Sequence, residues 1–360
     1  MCCISSCPGT TLVPEMIAQQ RGRKAVLFSV YVPFAVTAVL AVLAPRLAHV
    51  LPPRRAAWAL ACAALVTAIG WAGALALLAF TGVAQIPEVA EKGRWSVAAL
   101  QAEDPVYLVV AGGSALMLAV GVASLGVAAV GQARLFVRAR RERARLPEET
   151  ELVVVDDDVP MAFALPGSPG RIVVSRGMLR CLTDREREAL LAHERAHLRC
   201  RHHLFQVLWR LTAALNPLLR PLAVAGGFVL ERWADEEAAQ RVGDRKIVAH
   251  AVGRAALASA GASFPAALAA TGGAVPQRVR ALLAPPPPRR SLPLVAGGLL
   301  LAVCCASLAN AASDSDQMVD SAQCAAYAAT ASTPSAGEHR HGPDFCFGEH
   351  DHRELQEHRP

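Results

Sequence analysis

Near the middle of the chain the sequence is Leu190-Leu191-Ala192-His193-Glu194-Arg195-Ala196-His197, with two histidines four residues apart and a glutamate after the first. On an α-helix, positions i and i+4 lie on one face with Cβ atoms about 5–6 Å apart. Both imidazoles can therefore bind one Zn²⁺ at about 2.0–2.1 Å. Glu194 then lies beside the open coordination position, where it can accept a proton from a water molecule that the metal activates. The stretch predicts a helix that carries a hydrolytic zinc site.

The residues before the motif mark the start of this helix. Thr183-Asp184-Arg185-Glu186 has the Ser/Thr-x-x-Glu form of a capping box. No glycine or proline occurs from 182 to 216, so the sequence predicts one long helix that contains both histidines. A short pattern with two free positions also occurs by chance in unrelated proteins, and a third ligand is needed to support the site.

His203 is the first candidate for a third ligand, because it stands six residues after His197, the spacing of the metzincin class. In that class a glycine turns the chain between the two histidines, and this chain has Cys200 at that position. A helix that continues through Cys200 carries His203 past the metal. His203 is therefore the weaker candidate.

Glu231 is the better candidate. A helix is predicted to begin just after Gly226-Gly227, and it places the small Ala234 and Ala238 on the same face as Glu231. Small side chains allow another helix to approach closely. Asp235, one turn beyond Glu231, can accept a hydrogen bond from the outer nitrogen of a ligand imidazole. The alternative is a solvated acidic helix face in which Glu231 is incidental.

The composition of the chain indicates a membrane protein. Hydrophobic residues make up 53% and charged residues 18%, and the mean hydropathy is positive, which is unusual for a soluble enzyme. A helix that crosses the hydrocarbon core needs about 20 apolar residues. The stretches of that length without a charged residue are 25–44, 56–80, 106–130 and 292–312. They predict four transmembrane helices.

The stretch 204–230 is also apolar, but we do not expect it to cross the membrane. It contains Arg210, Arg220 and two prolines, which are costly in lipid. A crossing here would put Glu231 on the opposite side of the membrane from the two histidines, and one zinc ion could not bind all three. We expect two helices, broken at Asn216-Pro217, that lie against the protein or the membrane surface.

Basic residues orient the predicted spans, because short cytoplasmic loops are rich in Lys and Arg. Arginines follow the third span and also lie between the first and second, so both regions are expected in the cytoplasm. Arg21, Arg23 and Lys24 before the first span favour the opposite orientation. The arginines that support the cytoplasmic assignment are Arg134, Arg138, Arg140, Arg141, Arg143 and Arg145 after the third span, and Arg46, Arg54 and Arg55 before the second.

The segment before the zinc motif predicts a small β-sheet. Its β-rich runs are 151–155, 161–164 and 171–175, and the last two flank the turn-rich Pro166-Gly167-Ser168-Pro169-Gly170. An exposed strand edge beside a zinc helix can align an extended peptide by strand addition. A purely structural hairpin is the alternative.

These motifs resemble the catalytic domain of membrane gluzincin peptidases. The similarity lies in Ala162-Phe163-Ala164-Leu165-Pro166-Gly167, in the run from Ile172 to Leu179, in the His-Glu-x-x-His helix and in Glu231-x-x-x-Asp235. Two branches fit, the BlaR/MecR type and the HtpX and CAAX-prenyl-protease type. The BlaR/MecR type has a cytoplasmic zinc-peptidase domain between the third and fourth of four spans. The span count and Leu215-Asn216-Pro217 favour that branch.

The resemblance also implies the roles of individual residues. It implies that one Zn²⁺ is bound by His193, His197 and Glu231, that Glu194 is the general base and that Asp235 is a supporting acid.

Two departures from the family pattern stand out. His202 occupies the position where these families often have an aspartate, so the support network around it does not follow from the resemblance. BlaR/MecR receptors also carry a penicillin-binding sensor domain after the last span. Here about 48 residues follow position 312 and no Ser-x-x-Lys motif occurs, so we do not expect a β-lactam receptor of that design.

The predicted fold is a mainly α-helical integral membrane protein with four transmembrane helices and a cytoplasmic α+β gluzincin domain between the third and fourth. The expected divisions are an N-terminal leader (1–24), three transmembrane helices (25–133), the peptidase domain (134–290), a fourth transmembrane helix (291–312) and a flexible extracytoplasmic tail (313–360). The chain can start at Met1 or Met16. In the tail, Cys324 and Cys346 can pair, and five histidines can bind metal or sense acid.

The sequence therefore predicts a membrane-bound zinc metalloendopeptidase. Its expected partners are the lipid bilayer and a protein substrate, either a cytoplasmic repressor or a membrane protein. The net charge of +6 comes with no nucleic-acid motif, so direct nucleic-acid binding is not expected. The alternatives are a non-cleaving signalling receptor and an HtpX-like quality-control protease. Glu194 disfavours the receptor, because a domain that does not cut has no chemical need for a base.

Overall fold

The computed structural model describes residues 12–93, 95, 108–144, 150–261, 274–285 and 291–331. In chain order the helices are α1 (Leu12–Val50), α2 (Pro53–Val83), α3 (Pro87–Gly93), α4 (Leu108–Ala144), α5 (Arg176–Arg180), α6 (Asp184–Arg199), α7 (His202–Leu215), α8 (Arg220–Val242), α9 (Arg245–Gly261), α10 (Ala274–Leu283) and α11 (Leu292–Ala331). The strands are β1 (Leu152–Val155), β2 (Ala162–Leu165) and β3 (Arg171–Ser175), and a 3₁₀ turn, Pro217–Leu219, lies between α7 and α8.

In the described part of the chain, four helices are long and apolar enough to cross a membrane. Their apolar segments are Ser29–Val50 in α1, Pro53–Val83 in α2, Val109–Ala144 in α4 and Leu292–Gln317 in α11. The shortest has 22 residues. At about 1.5 Å per residue such a helix is longer than the hydrocarbon core, which is about 30 Å thick. The four predicted spans are confirmed as helices, and the chain has the features of a multi-pass membrane protein.

The helix of the zinc motif is shorter than the sequence predicts. Instead of one helix over 182–216, α6 ends at Arg199 and α7 begins at His202. Arg201 between them has a left-handed φ of 52°, which is strained for a residue with a side chain. Packing explains the turn, because His202 is buried with its ring centroid 4.8 Å from that of Trp233. The prediction of a single helix was wrong, since neither glycine nor proline marks the break.

The chain turns again at Asn216-Pro217, as predicted. The side-chain oxygen of Asn216 accepts a hydrogen bond from the backbone N–H of Leu218 at 3.1 Å and caps the 3₁₀ turn. The next helix, α8, begins before Gly226-Gly227 rather than after it, so the predicted start was wrong. Gly226 has a packing role inside α8, because a Cβ there would come within 2.5 Å of the Trp209 ring.

The helices α7 and α8 form a helical hairpin, residues 202–242, that packs between the apolar helices α1, α2 and α4. Leu219 and Leu222 near its tip are fully buried and share a hydrophobic cluster with Ala44 and Leu60 of α1 and α2. Inside a bilayer a chain reversal is tolerated where protein covers its polar backbone. His202 and Glu231, which flank the stretch 204–230, both lie beside His197, so the two ends of this stretch meet at one place. The predicted pair of helices is confirmed.

A buried arginine fastens the hairpin to the first span. Arg232 is 5% exposed, and its guanidinium donates to the backbone carbonyl of Ala48, in the last turn of α1. Cations are stabilised at this end of a helix by the partial negative charge of its free carbonyls. Because Arg232 directly follows Glu231 in α8, this hydrogen bond fixes the position of Glu231 relative to α1.

The three strands form one small sheet in the order β1-β3-β2. The central strand β3 is buried along its length, pairing with β1 in parallel and with β2 antiparallel. The edge strand β2 lies against α6. The three predicted strands are confirmed to within one residue at their ends.

The last helix extends further than the sequence predicts. A flexible tail is expected from position 313, but α11 continues to Ala331. The sequence between 313 and 331 is rich in alanine and free of glycine and proline, which favours continuation of a helix. Cys346 and the five tail histidines lie outside the described residues, as do residues 1–11 of the predicted leader, Arg145 and the side chains of Met16 and Cys324. Residues 12–24 of the predicted leader belong to α1.

The two adjacent glycines of α8 give a matched test of the hairpin. In Gly226→Ala the new methyl group meets the buried Trp209 ring, and overpacking of this kind typically costs about 1–3 kcal/mol. In Gly227→Ala the methyl group meets nothing within 4 Å, and a helix interior favours alanine by up to about 1 kcal/mol. Thermal unfolding in detergent should therefore occur at a lower temperature for Gly226→Ala and at an equal or higher temperature for Gly227→Ala. Equal shifts in both variants would contradict the assigned packing.

Candidate active site

The start of α6 is held by the predicted capping box. The backbone N–H and the hydroxyl of Thr183 both donate to the carboxylate of Glu186 at 2.9 Å. Arg254 of α9 contacts the same carboxylate at 3.2 Å. Because Glu186 is almost fully buried, these contacts fix the first turn of the helix. The histidines follow two and three turns later.

Small side chains bring α8 close to α6. Ala189 and Ala192 of α6 pack in one buried cluster with Ala238 of α8, and Ala234 is also fully buried. Helices in contact lie about 8–10 Å apart, and alanine faces favour the short end of that range. Glu231 on α8 is thereby placed opposite the two histidines, as the alanines in the sequence predict.

Three donor atoms meet at one point between these helices. The Nε2 atoms of His193 and His197 are 3.1 Å apart. The carboxylate oxygens of Glu231 lie 3.5 Å from His193 Nε2 and 3.6 Å from His197 Nε2. Ligands about 2.0–2.1 Å from a tetrahedral zinc ion are separated by roughly 3.3 Å. The spacing and the two-nitrogen, one-oxygen chemistry of His193, His197 and Glu231 therefore fit Zn²⁺.

The outer nitrogens of both histidines also have neighbours. His193 Nδ1 lies 3.0 Å from a carboxylate oxygen of Asp235, the arrangement that the sequence predicts. His197 Nδ1 lies 2.9 Å from His202 Nδ1. If Nε2 of His197 faces a metal, its Nδ1 carries the proton and donates to His202. Burial and the neighbouring His197 lower the pKa of His202 to about 3, which suits a neutral acceptor. His202 thus takes the place of the aspartate common in the resembling families.

Arg278 of α10 is a member of the site that sequence reasoning missed. Its guanidinium binds Asp235 through two hydrogen bonds, of 2.8 and 2.6 Å, and contacts Glu231 at 2.9 Å. Nothing in the sequence around Arg278 points to Asp235, 43 residues earlier. The cation balances two carboxylates, which would be costly to bury alone. Burial opposes ionisation of Asp235, but Arg278 and His193 outweigh it and hold its pKa below the usual range.

The two histidines differ in charge. Burial opposes protonation of His193, but the carboxylates of Asp235 and Glu231 outweigh it and raise its pKa to about 9. Burial and the positive charge of His193 lower the pKa of His197 to about 4. The pKa of Glu231 lies below its usual range because His193 and Arg278 outweigh the effect of burial. At neutral pH and without a metal, His193 is therefore the protonated, positively charged imidazole, His197 is neutral and Glu231 is ionised.

Glu194 lines the same cavity as His193 and Glu231, a pocket of about 220 Å³. Burial raises the pKa of its carboxyl group, while the backbone N–H of Ala164 in β2 donates to it. A carboxylate with a raised pKa is suited to accept a proton near neutral pH. The arrangement can activate a nucleophile beside the metal-binding cluster.

His203 lies elsewhere. It lines a different cavity together with Phe136 and Arg201, and it is absent from the cluster of donor atoms formed by the described residues. The turn at Arg201 directs His202 rather than His203 towards His197.

Comparison with known protein families locates a peptidase domain in this part of the chain. Residues 132–265, a little over a third of the chain, match the model of Peptidase family M48. The matched region contains the sheet, α6, the helical hairpin and the three clustered donor residues, whereas Arg278 lies beyond it. No solved structure gives a significant match to the chain.

The match indicates a metallopeptidase, a hydrolase that cleaves peptide bonds. Together with the four long apolar helices, it indicates a metalloprotease of the membrane type. Peptidases of family M48 are typically zinc-dependent, and the donor set described above has the chemistry that zinc requires.

Removal of one donor tests the ligand assignment. We expect Glu231→Ala to lower zinc affinity by at least about 100-fold, because loss of a supporting residue alone typically costs 10–100-fold. Bound zinc is measured by elemental analysis after dialysis against buffered zinc. Glu236→Ala is the matched control, since Glu236 is on the same helix and pairs with Arg245 instead. Normal zinc retention in Glu231→Ala would overturn the assignment.

Zinc binding should also release about one proton at about pH 6. The pKa values of about 9 for His193 and about 4 for His197 leave only His193 to be deprotonated. Zinc affinity should therefore rise about tenfold per pH unit between about pH 5 and pH 7. Calorimetry in two buffers of different ionisation enthalpy gives the number of protons directly. Release of no proton would mean that His193 is neutral before zinc binds.

Proposed function

We propose that the protein is a membrane-bound zinc metalloendopeptidase that cleaves a protein substrate at the cytoplasmic face of the membrane. The observation that carries this proposal is the cluster of His193, His197 and Glu231, whose donor atoms have the spacing of zinc ligands. Glu194 on the wall of the same cavity supplies the general base that a hydrolytic zinc site also needs.

Each residue has a distinct task in the proposed reaction. Zinc bound by the three donors would polarise the scissile carbonyl and activate a water molecule. Glu194 accepts a proton from the attacking water as its oxygen bonds to the carbonyl carbon, and returns that proton to the amine nitrogen as the C–N bond breaks. Asp235 and His202 orient the two imidazoles, and Arg278 keeps Asp235 and Glu231 in their ionised forms.

The edge strand β2 offers a way to position the substrate. Bonds between antiparallel strands alternate along the ladder, and the N–H of Ser175 donates to the carbonyl of Met161. By this alternation Phe163 and Leu165 pair with β3, while the backbone groups of Ala162 and the carbonyl of Ala164 are left at the outer edge, since the Ala164 N–H donates to Glu194. Ala162 lines the active-site cavity. An extended peptide added along this edge would present its carbonyl to the metal site.

The substrate pocket favours an apolar side chain. Beyond the polar cluster, the cavity is lined mainly by small and apolar residues, including Met178, Val248, Ala251, Val252 and Ala255. Exclusion of water by such a wall also strengthens the electrostatic interactions within the site. We therefore infer cleavage next to an apolar residue of a locally extended segment.

The cytoplasmic location rests on the basic end of α4. Arg134, Arg138, Arg140, Arg141 and Arg143 lie on the last turns of that helix, and basic residues close to a span favour the cytoplasmic side. The peptidase domain follows directly. This layout, with the domain between the third and fourth spans, supports regulated cleavage of a cytoplasmic repressor or of a membrane protein. Membrane quality control would use the same chemistry on other substrates.

The test is a comparison of cleavage products in cells. We expect Glu194→Gln to retain zinc, because Glu194 is not among the clustered donors, and to reduce cleavage by about 10²–10⁴-fold through loss of the base. Mass spectrometry of protein N-termini compares cells that express wild type or Glu194→Gln at equal levels. Glu188→Gln, an exposed change on the same helix, should behave as wild type.

The outcome identifies substrates as well as activity. New N-termini that depend on Glu194 and follow or precede an apolar residue would support the proposal. A repressor among the substrates would favour the regulatory role, and many damaged membrane proteins would favour quality control. If wild type and Glu194→Gln gave the same N-termini under several stresses, a non-cleaving receptor would replace the proposed enzyme.

A further inference from the structure

A second cavity, of about 590 Å³, lies among the apolar helices at the tip of the helical hairpin. Its walls come from α1, α2 and α4, and its floor comes from the turn between α7 and α8. The lining includes Phe34, Trp71, Leu75, Met117 and Leu215, and none of its residues is charged. Cavities of about 300–1,000 Å³ accommodate drug-sized molecules. The volume and the apolar wall therefore suit a hydrocarbon chain.

One residue of the cavity wall has a buried hydrogen-bond donor without an acceptor. Asn216 at the hairpin tip is fully buried and belongs to the lining. Its side-chain oxygen is occupied by the N–H of Leu218, but its amide nitrogen has no hydrogen-bond partner among the described residues. A buried donor that lacks an acceptor costs free energy. An oxygen acceptor that entered with a hydrocarbon chain would remove that cost.

The cavity is accessible from the side of the helical bundle. Residues on its margin remain about half exposed, among them Tyr31 on α1, Met117 and Val120 on α4, and Leu218 at the hairpin tip. These positions belong to the apolar segments or to the hairpin tip packed between them, so the surrounding medium is lipid when these helices span the bilayer. Entry from the bilayer requires no passage through water.

A glycine holds the hairpin tip against α4 beside this space. A Cβ at Gly121 would lie 2.8 Å from the backbone carbonyl oxygen of Leu215, so only glycine allows this approach. The floor of the cavity is thereby fixed at a defined distance from its α4 wall.

We propose that this cavity is a binding site for a fatty acyl ester from the membrane. The acyl chain fills the apolar part, and the ester carbonyl accepts a hydrogen bond from the amide nitrogen of Asn216. The absence of charge in the lining excludes a buried ionic headgroup, because an unpaired charge is costly in such a site. The site is separate from the zinc cluster and does not depend on the proposed peptidase activity.

The experiment uses the full chain in lipid nanodiscs. A phosphatidylcholine that carries a diazirine in one acyl chain is added at low mole fraction, photolysed, and its adducts are mapped by mass spectrometry. We expect saturable labelling of cavity-lining residues in 114–124 and 214–218. A diazirine alkane of equal length, which lacks the carbonyl, should label these residues about fivefold less, the factor that corresponds to one hydrogen bond of ordinary strength.

Two variants of α4 provide the matched comparison. Ser124 lines the cavity, whereas Val122 does not and is exposed. We expect Ser124→Trp to fill the cavity and reduce its labelling at least about fivefold, while Val122→Trp leaves the labelling unchanged. Unaltered zinc content shows that each variant is folded, and if Ser124→Trp fails to fold, the comparison of the two probes in wild type decides alone.

Several results would overturn the proposal. Labelling spread evenly over the lipid-facing side of α4, without saturation, would mean that the cavity has no preference for the lipid. Equal labelling by the ester and the alkane would remove the role of Asn216. Cross-links from cavity residues to another part of the chain, such as 96–107, or to a second copy would assign the space to protein.

Discussion

The close approach of α8 to α6 is the constraint on which the rest of the structure depends. The facing positions Ala189, Ala192 and Ala238 are 7% exposed or less, so at these positions only methyl groups separate the two helices. Donor atoms 3.1–3.6 Å apart tolerate little change in this distance. A longer side chain at any of the three positions would move Glu231 away from the histidines. The remainder of the fold keeps the two helices at this short distance.

This close approach brings several charged groups into a small volume. The balance between their positive and negative charges determines the stability of the site. Glu231, Asp235 and Glu194 would repel one another if they were left alone. Arg278 and a protonated or metal-bound His193 offset that repulsion, and each carboxylate that they contact stays ionised. The residue that completes the balance arrives from α10, after the part of the chain that resembles known peptidases. The charge balance of the site therefore depends on a residue that folding brings in from outside the matched region.

The parts of the structure that follow from a local sequence pattern could be predicted from the sequence. The spans follow from apolar length, the strands from β-rich runs between turns, and the relation of His193 to His197 from helical spacing. The turn at Arg201 could not be predicted, because its cause is the burial of His202 against Trp233, a contact between helices. The start of α8 before Gly226 has the same kind of origin, since Gly226 packs against the Trp209 ring of the neighbouring helix. Arg278 was missed for a related reason: an ion pair between distant residues leaves no periodic trace.

The continuity of α8 has a mechanical consequence. From its first turn beside the 3₁₀ tip to Glu231, the helix rises about 16 Å, and the next residue, Arg232, is fastened to the last turn of α1. A helix is stiff along its axis, so a displacement or rotation at the tip reaches Glu231 with little loss. A rotation by one residue, about 100°, would turn its carboxylate away from the histidines. A movement of the apolar helices packed around the tip therefore acts on the same rigid rod that carries Glu231 to the two histidines.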